Sequence, residues 1–118
     1  MLEKHLVKKE KKKTNKVLAK QITNGLKSIK DTSNIIIAYE PVWSIGTGLI
    51  PKSDDLLNSI TFIKNRFLKK TPKVLYGGSV NAKNIVQLKD ISVIDGFLIG
   101  GASQSSKKFI DIIKKTFN

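Results

Sequence analysis

The chain has 118 residues, 40% of them hydrophobic, and a formal net charge of +13. That is enough for one small domain with a modest core, and too apolar for a disordered chain. With no cysteine and a single histidine, His5, disulfides, thiolate metal sites and a His-based metal site are excluded, and no apolar run approaches the roughly 20 residues needed to cross a bilayer.

The first residues, MLEKHLVKKEKKKTNK, are charged and lack the apolar stretch of a secretory signal, so a cytoplasmic location is the expectation. Residues 1–13 are either a frayed end or a solvated helix start, and His5 within them reads as a surface residue. From Thr14 to Ile29, apolar residues recur at Val17, Leu18, Ile22, Leu26 and Ile29, the spacing of an amphipathic helix; Gly25 weakens it by up to ~1 kcal/mol against alanine. After the turn cluster Asp31-Thr32-Ser33-Asn34, Ile35-Ile36-Ile37-Ala38-Tyr39 reads as a strand buried on both faces, as in a parallel sheet. Ser53 is the expected N-cap of a second helix, with Asp54 and Asp55 facing its dipole and Leu56, Leu57, Ile60, Ile63, Phe67 and Leu68 on its apolar side. Pro72 ends that segment. Lys73-Val74-Leu75-Tyr76 is a second strand, Asn81 caps a short helix through Leu88, and Gly96-Phe97-Leu98-Ile99 is a third strand. Phe109, Ile112 and Ile113 line a last helix, with Lys114 and Lys115 at its C-terminus. Strands and helices alternate at the spacing of right-handed βα units around a parallel sheet.

The positive charge admits a polyanion partner. However, nearly all of it is lysine, and Arg66 is the only arginine. Planar, bidentate contacts to bases and phosphates favour arginine. The charge therefore reads as solvated lysine faces; neither nucleic acid nor a membrane is the expected partner.

All three strands end in unusual sequence at the same end: Glu40-Pro41, Gly77-Gly78-Ser79 and Gly100-Gly101. In open α/β sheets that end carries ligand sites. Glycine lets backbone N–H groups approach an anion closely, and helix N-termini add partial positive charge, so the three glycine-rich ends together point to a phosphate; tight strand-to-helix turns are the alternative reading. Glu40, at the mouth of an apolar strand, is expected to be partly desolvated, which strengthens a carboxylate as a base. Pro41 stiffens one end of the following loop and Gly46 and Gly48 loosen the other, as in a lid with Trp43 as its apolar anchor.

The segments AYEPVWSIGTG, YGGSVN and GFLIGGAS, in this order and near this spacing, closely resemble the C-terminal half of triosephosphate isomerase, from about Thr14 to the end of the chain. The resemblance implies a partial (β/α)8 TIM barrel, units six to eight of the fold that takes its name from this family, with about three parallel strands alternating with helices. The expected domain is one partial barrel over residues 1–118. The implied activity is interconversion of D-glyceraldehyde 3-phosphate and dihydroxyacetone phosphate through an enediol(ate), without a metal or organic cofactor. Glu40 matches the family's catalytic base. Pro41, Val42 and Trp43 match the first lid hinge, and Ser44, Ile45, Gly46, Thr47 and Gly48 its tip. Gly46, Ser79, Gly100 and Gly101 match phosphate-binding positions. Tyr76 and Ser79 match residues that latch the closed lid.

There are two departures. Pro51 falls where the family commonly has an amide bonded to the latch tyrosine, and proline has no N–H. The family's lysine and histidine, its main dimer loop and its Cys-x-Gly-Glu segment belong to an N-terminal half outside this sequence. The family is a homodimer. Activity is therefore expected only with a separate N-terminal half, and not from the chain alone; the alternatives are a non-functional remnant of a split gene or a lysine-rich polyanion-binding module.

Overall fold

A computed structural model of the chain describes residues 2–41 and 47–117, with side chains from Lys13 onward. Three parallel strands, β1 (Ile36–Tyr39), β2 (Lys73–Tyr76) and β3 (Gly96–Phe97), form one sheet in the order β1-β2-β3. Around them run the helices α1 (Leu2–Gly25), α2 (Ser53–Asn65), α3 (Ile85–Leu88) and α4 (Ser106–Thr116). This is the expected alternation, as an open sheet consistent with part of an α/β barrel.

The helices cover one face of the sheet. Ile37 is level with Val74, and Tyr39 with Tyr76. Val74 packs with Leu18, Ile60 and Ile63. Tyr76 packs with Leu56, Val80, Ile85, Leu88, Ile91 and Ile112. Successive strand residues face opposite ways, so Ile36, Ala38 and Leu75 lie on the other face. There Ile36 is 65% exposed. The reading of β1 as buried on both faces is thus corrected: its burial alternates, because helices pack on one side only.

Other boundaries also differ from the sequence reading. Residues 2–13 belong to α1, which ends at Gly25, so Leu26 and Ile29 lie in the turn beyond it and Ile29 is exposed. Ser53 does not cap α2. The cap position is Lys52, which makes no side-chain cap bond, and the Ser53 hydroxyl accepts from Gln87 Nε2 at 2.9 Å, tying α2 to the α3 unit. Asp54 and Asp55 do occupy the first turn of α2. The helix stops at Asn65, leaving Leu68 97% exposed. Nor does Asn81 cap α3: the cap position is Asn84, without a side-chain cap bond, and Asn81 Oδ1 instead closes the preceding turn, accepting from Lys83 and Asn84 N–H at 2.9 and 2.8 Å. In α4 only Ile112 is buried; Phe109 and Ile113 are exposed.

At the N-terminal end of the strands, Asp95 joins β2 to β3. Its N–H donates to Val74 O at 2.9 Å, and its carboxylate accepts from Val74 N–H at 2.9 Å. The side chain thus takes the place of a ladder carbonyl one residue before β3 begins. Lys64 Nζ pairs with the same carboxylate oxygen at 2.9 Å. Burial pushes this carboxyl upward, but the Val74 N–H, the Lys64 hydrogen bond and the charges of Lys64 and Lys73 outweigh it and hold it below the ordinary 3.8.

Candidate active site

The three strands end level with one another. Tyr39 pairs with Tyr76 and Tyr76 with Phe97, so the next residues, Glu40, Gly77 and Leu98, form one rim. The ladder continues into it: Gly77 N–H donates to Tyr39 O and Leu98 N–H to Tyr76 O, each at 2.9 Å. Glu40 lies on the uncovered face and is exposed. Partial desolvation was the sequence expectation; among the described residues no element packs over that face, and Glu40 is exposed.

Glu40 lies directly against Gly77. A Cβ built on Gly77 would come within 2.6 Å of Glu40 Cγ and 2.8 Å of Glu40 Oε1. Gly77 has no positive φ, so its backbone does not require glycine; a side chain there would push the Glu40 side chain from this place. The sequence reading treated Gly77 as turn and phosphate sequence and missed this contact. The signal was available, since two strands that both end on tyrosine put the residues that follow side by side.

Ser79 ties the loop after β1 to the loop after β2. Its Oγ accepts from Gly48 N–H at 3.0 Å, while its carbonyl accepts from Asn84 Nδ2 at 2.7 Å. Gly48 is the only described residue with positive φ, at 77°, a conformation that favours glycine. Thr47 Oγ1 accepts from Leu49 N–H at 3.1 Å in the same turn. Val42, Trp43, Ser44, Ile45 and Gly46 lie outside the described residues, as does the side chain of His5. Pro41 and Pro51, which flank the loop, are buried. Tyr76 is fully buried, in a cluster against which Ile50 packs.

Gly100 and Gly101 stand beyond the rim, both exposed. They do not lead straight into α4 as expected: a short 3-10 helix, Gly101–Gln104, intervenes, and Ser105 caps α4 by accepting from Lys108 N–H at 3.4 Å. Neither glycine has a positive φ, and a Cβ on either would meet nothing within 4 Å. Gly100 does open a turn, its carbonyl accepting from Ser103 N–H at 2.9 Å. Among the described residues no group of three or more His, Asp or Glu could hold a metal ion.

An exposed carboxylate, a serine-bound loop and two exposed glycines share one end of the sheet. A family model of triosephosphate isomerase matches residues 2–116. The chain belongs to the triosephosphate isomerase family. Among curated relatives, the triosephosphate isomerase of Zygosaccharomyces bailii is 45% identical over 107 residues, covering 85% of this chain and 43% of that protein. The Saccharomyces cerevisiae protein of the same name is 41% identical over 108 residues, covering 86% and 43%. That of Chlorobium luteolum is 38% identical over 116 residues, covering 92% and 46%. The chain thus spans less than half the length of these triosephosphate isomerases.

Proposed function

We propose that the chain is the C-terminal portion of a triosephosphate isomerase, interconverting D-glyceraldehyde 3-phosphate and dihydroxyacetone phosphate once the rest of the barrel joins it. The observation that carries this reading is the placement of Glu40 over Gly77, on the same rim as the Gly48–Ser79 tie.

In the proposed reaction the Glu40 carboxylate takes the proton from C2 of the aldose, leaving an enediol(ate), and returns it to C1, the former carbonyl carbon. Meanwhile the hydroxyl proton passes from O2 to O1. That transfer and the developing oxyanion need positioned donors, which the proposal places in the remaining portion of the barrel. Loss of one such donor typically costs ~10²–10³ in rate, so the chain alone is expected to be inactive. Ser79, Gly46, Gly100 and Gly101 hold the phosphate, the glycines through backbone N–H groups that no side chain obstructs. Ser79 and Tyr76 anchor the lid over it.

The test is isomerase turnover by the chain alone and mixed with the N-terminal portion of the Saccharomyces cerevisiae relative. Turnover only in the mixture, and lost with Glu40→Gln, is the expected result. A folded mixture without turnover would sink the reading.

A further inference from the structure

The turns that lead into the strands lie at the end of the sheet opposite Glu40, since all three strands run parallel. Side-chain bonds gather that end into one surface. Arg66 Nη2 donates to Thr23 Oγ1 at 3.5 Å, joining the ends of α1 and α2. Lys64 pairs with Asp95 at 2.9 Å, joining α2 to the start of β3. Lys89 Nζ donates to Lys115 O at 3.0 Å, joining the ends of α3 and α4.

This surface carries pairs of lysines, each with an apolar side chain beside it. Lys27 and Lys30 flank Ile29 in the turn after α1, Lys69 and Lys70 follow Leu68, and Lys114 and Lys115 close α4 ahead of Phe117; all are exposed. Leu68 and Phe117, at 97% and 83%, are the two most exposed large apolar side chains among the described residues. Three carboxylates share this end, Asp31, Asp90 and Asp95, and Lys64 already pairs with the last. At the Glu40 end the described charges nearly balance: Lys52, Lys83, Lys107 and Lys108 stand against Glu40, Asp54 and Asp55. As a total, the positive charge reads as solvated lysine faces; its placement reads differently. A solvated face has no use for Leu68 and Phe117 standing clear beside lysines. A nucleic acid would draw on the lysines but offers no apolar layer, and Arg66 is the only arginine for planar phosphate contacts. An anionic bilayer takes both, its headgroups meeting the lysines and its acyl boundary the apolar tips.

We infer that the strand-entry end of this chain docks on an anionic lipid surface, with Leu68 and Phe117 entering the acyl boundary and the lysine pairs lying among the headgroups. The chain lies on the bilayer rather than spanning it, as no described helix is long and apolar enough to cross. The rim that holds Glu40 then points away from the lipid. Docking therefore goes beyond the proposed reaction and stands or falls apart from it.

Cosedimentation of the intact chain with lipid vesicles tests it. Vesicles of phosphatidylcholine and phosphatidylglycerol in equal parts bind the chain, and vesicles of phosphatidylcholine alone do not. Added salt weakens the binding. Lys69→Glu/Lys70→Glu weakens it by about 25-fold or more, since each lysine near such a surface adds roughly fivefold. Leu68→Ser weakens it by about tenfold, the share of one leucine withdrawn from the acyl boundary, and leaves stability to denaturant unchanged because Leu68 is already exposed. Binding to neither vesicle, or equal binding to both, overturns the inference. Binding that Leu68→Ser leaves unchanged overturns it too, since that is plain attraction to any polyanion. A single-stranded RNA oligomer bound more tightly than the anionic vesicles at the same phosphate concentration does the same.

Discussion

β1 and β2 are each four residues long, lie in register and pair with each other, yet they are buried to different degrees. Val74 and Tyr76 of β2 are fully enclosed, whereas β1 alternates between exposed and half-buried positions. The apolar Ile-Ile-Ala-Tyr sequence of β1 matches a strand with neighbours on both edges and layers on both faces, and the described residues supply one of each. The difference follows from position: β2 has a strand on each edge, whereas β1 has one among the described residues.

The largest expected effect tests the satisfied side. Ile85 is fully buried against Tyr76, so Ile85→Ala should lower unfolding free energy by about 2–5 kcal/mol, read by chemical denaturation. Ile36→Ala in β1 removes the same atoms from a 65% exposed site and should shift it by no more than about 0.5 kcal/mol. Equal losses would mean that β1 is as enclosed as β2.

The next effect lies at the rim where the two strands meet. Glu40→Asp, in the mixture with the complementing portion, draws the carboxylate back by about 1 Å, and a misplacement of that size can cost ~10² in rate. Gly77→Ala should lose turnover to a similar order, since its Cβ would come within 2.6 Å of Glu40 Cγ and displace that side chain. A turnover assay with denaturation as control separates displacement of Glu40 from unfolding.

At the other end of β2, Asp95 sets an acid limit. Its folded pKa lies below 3.8, so its stabilisation is complete above the unfolded value and is lost as pH falls through the lower folded one. Asp95→Asn should flatten the acid limb of the stability curve below about pH 4. A limb unchanged by that substitution would remove Asp95 from the account. The smallest effect is local: Ser79→Ala takes the acceptor from Gly48 N–H and should speed exchange of that amide while changing global stability by less than about 0.5 kcal/mol.

Much of this was legible in the sequence. Lys73–Tyr76 came out with its full bounds, because Pro72 and Gly77 close a short run too brief for a helix. The Ser79 tie was implied by the family resemblance. What failed were features set by tertiary surroundings. Ile36 and Glu40 are exposed because no described element packs on their face of the sheet. The Ser53 hydroxyl is taken up by Gln87, 34 residues away, which no local capping pattern foretells. β3 spans only Gly96–Phe97, where Gly96–Ile99 was expected. The Glu40–Gly77 contact was hidden because it becomes visible only when two strands are set in register.

That contact has a consequence for how substitutions distribute. Saturation mutagenesis usually ranks replacements at a position by polarity or charge. At position 77 the obstacle begins at the first side-chain carbon, so alanine, serine and aspartate meet it alike. Such a scan should show position 77 as a flat column, uniformly depleted. Position 40, where the chemistry of the side chain matters, should show a graded one.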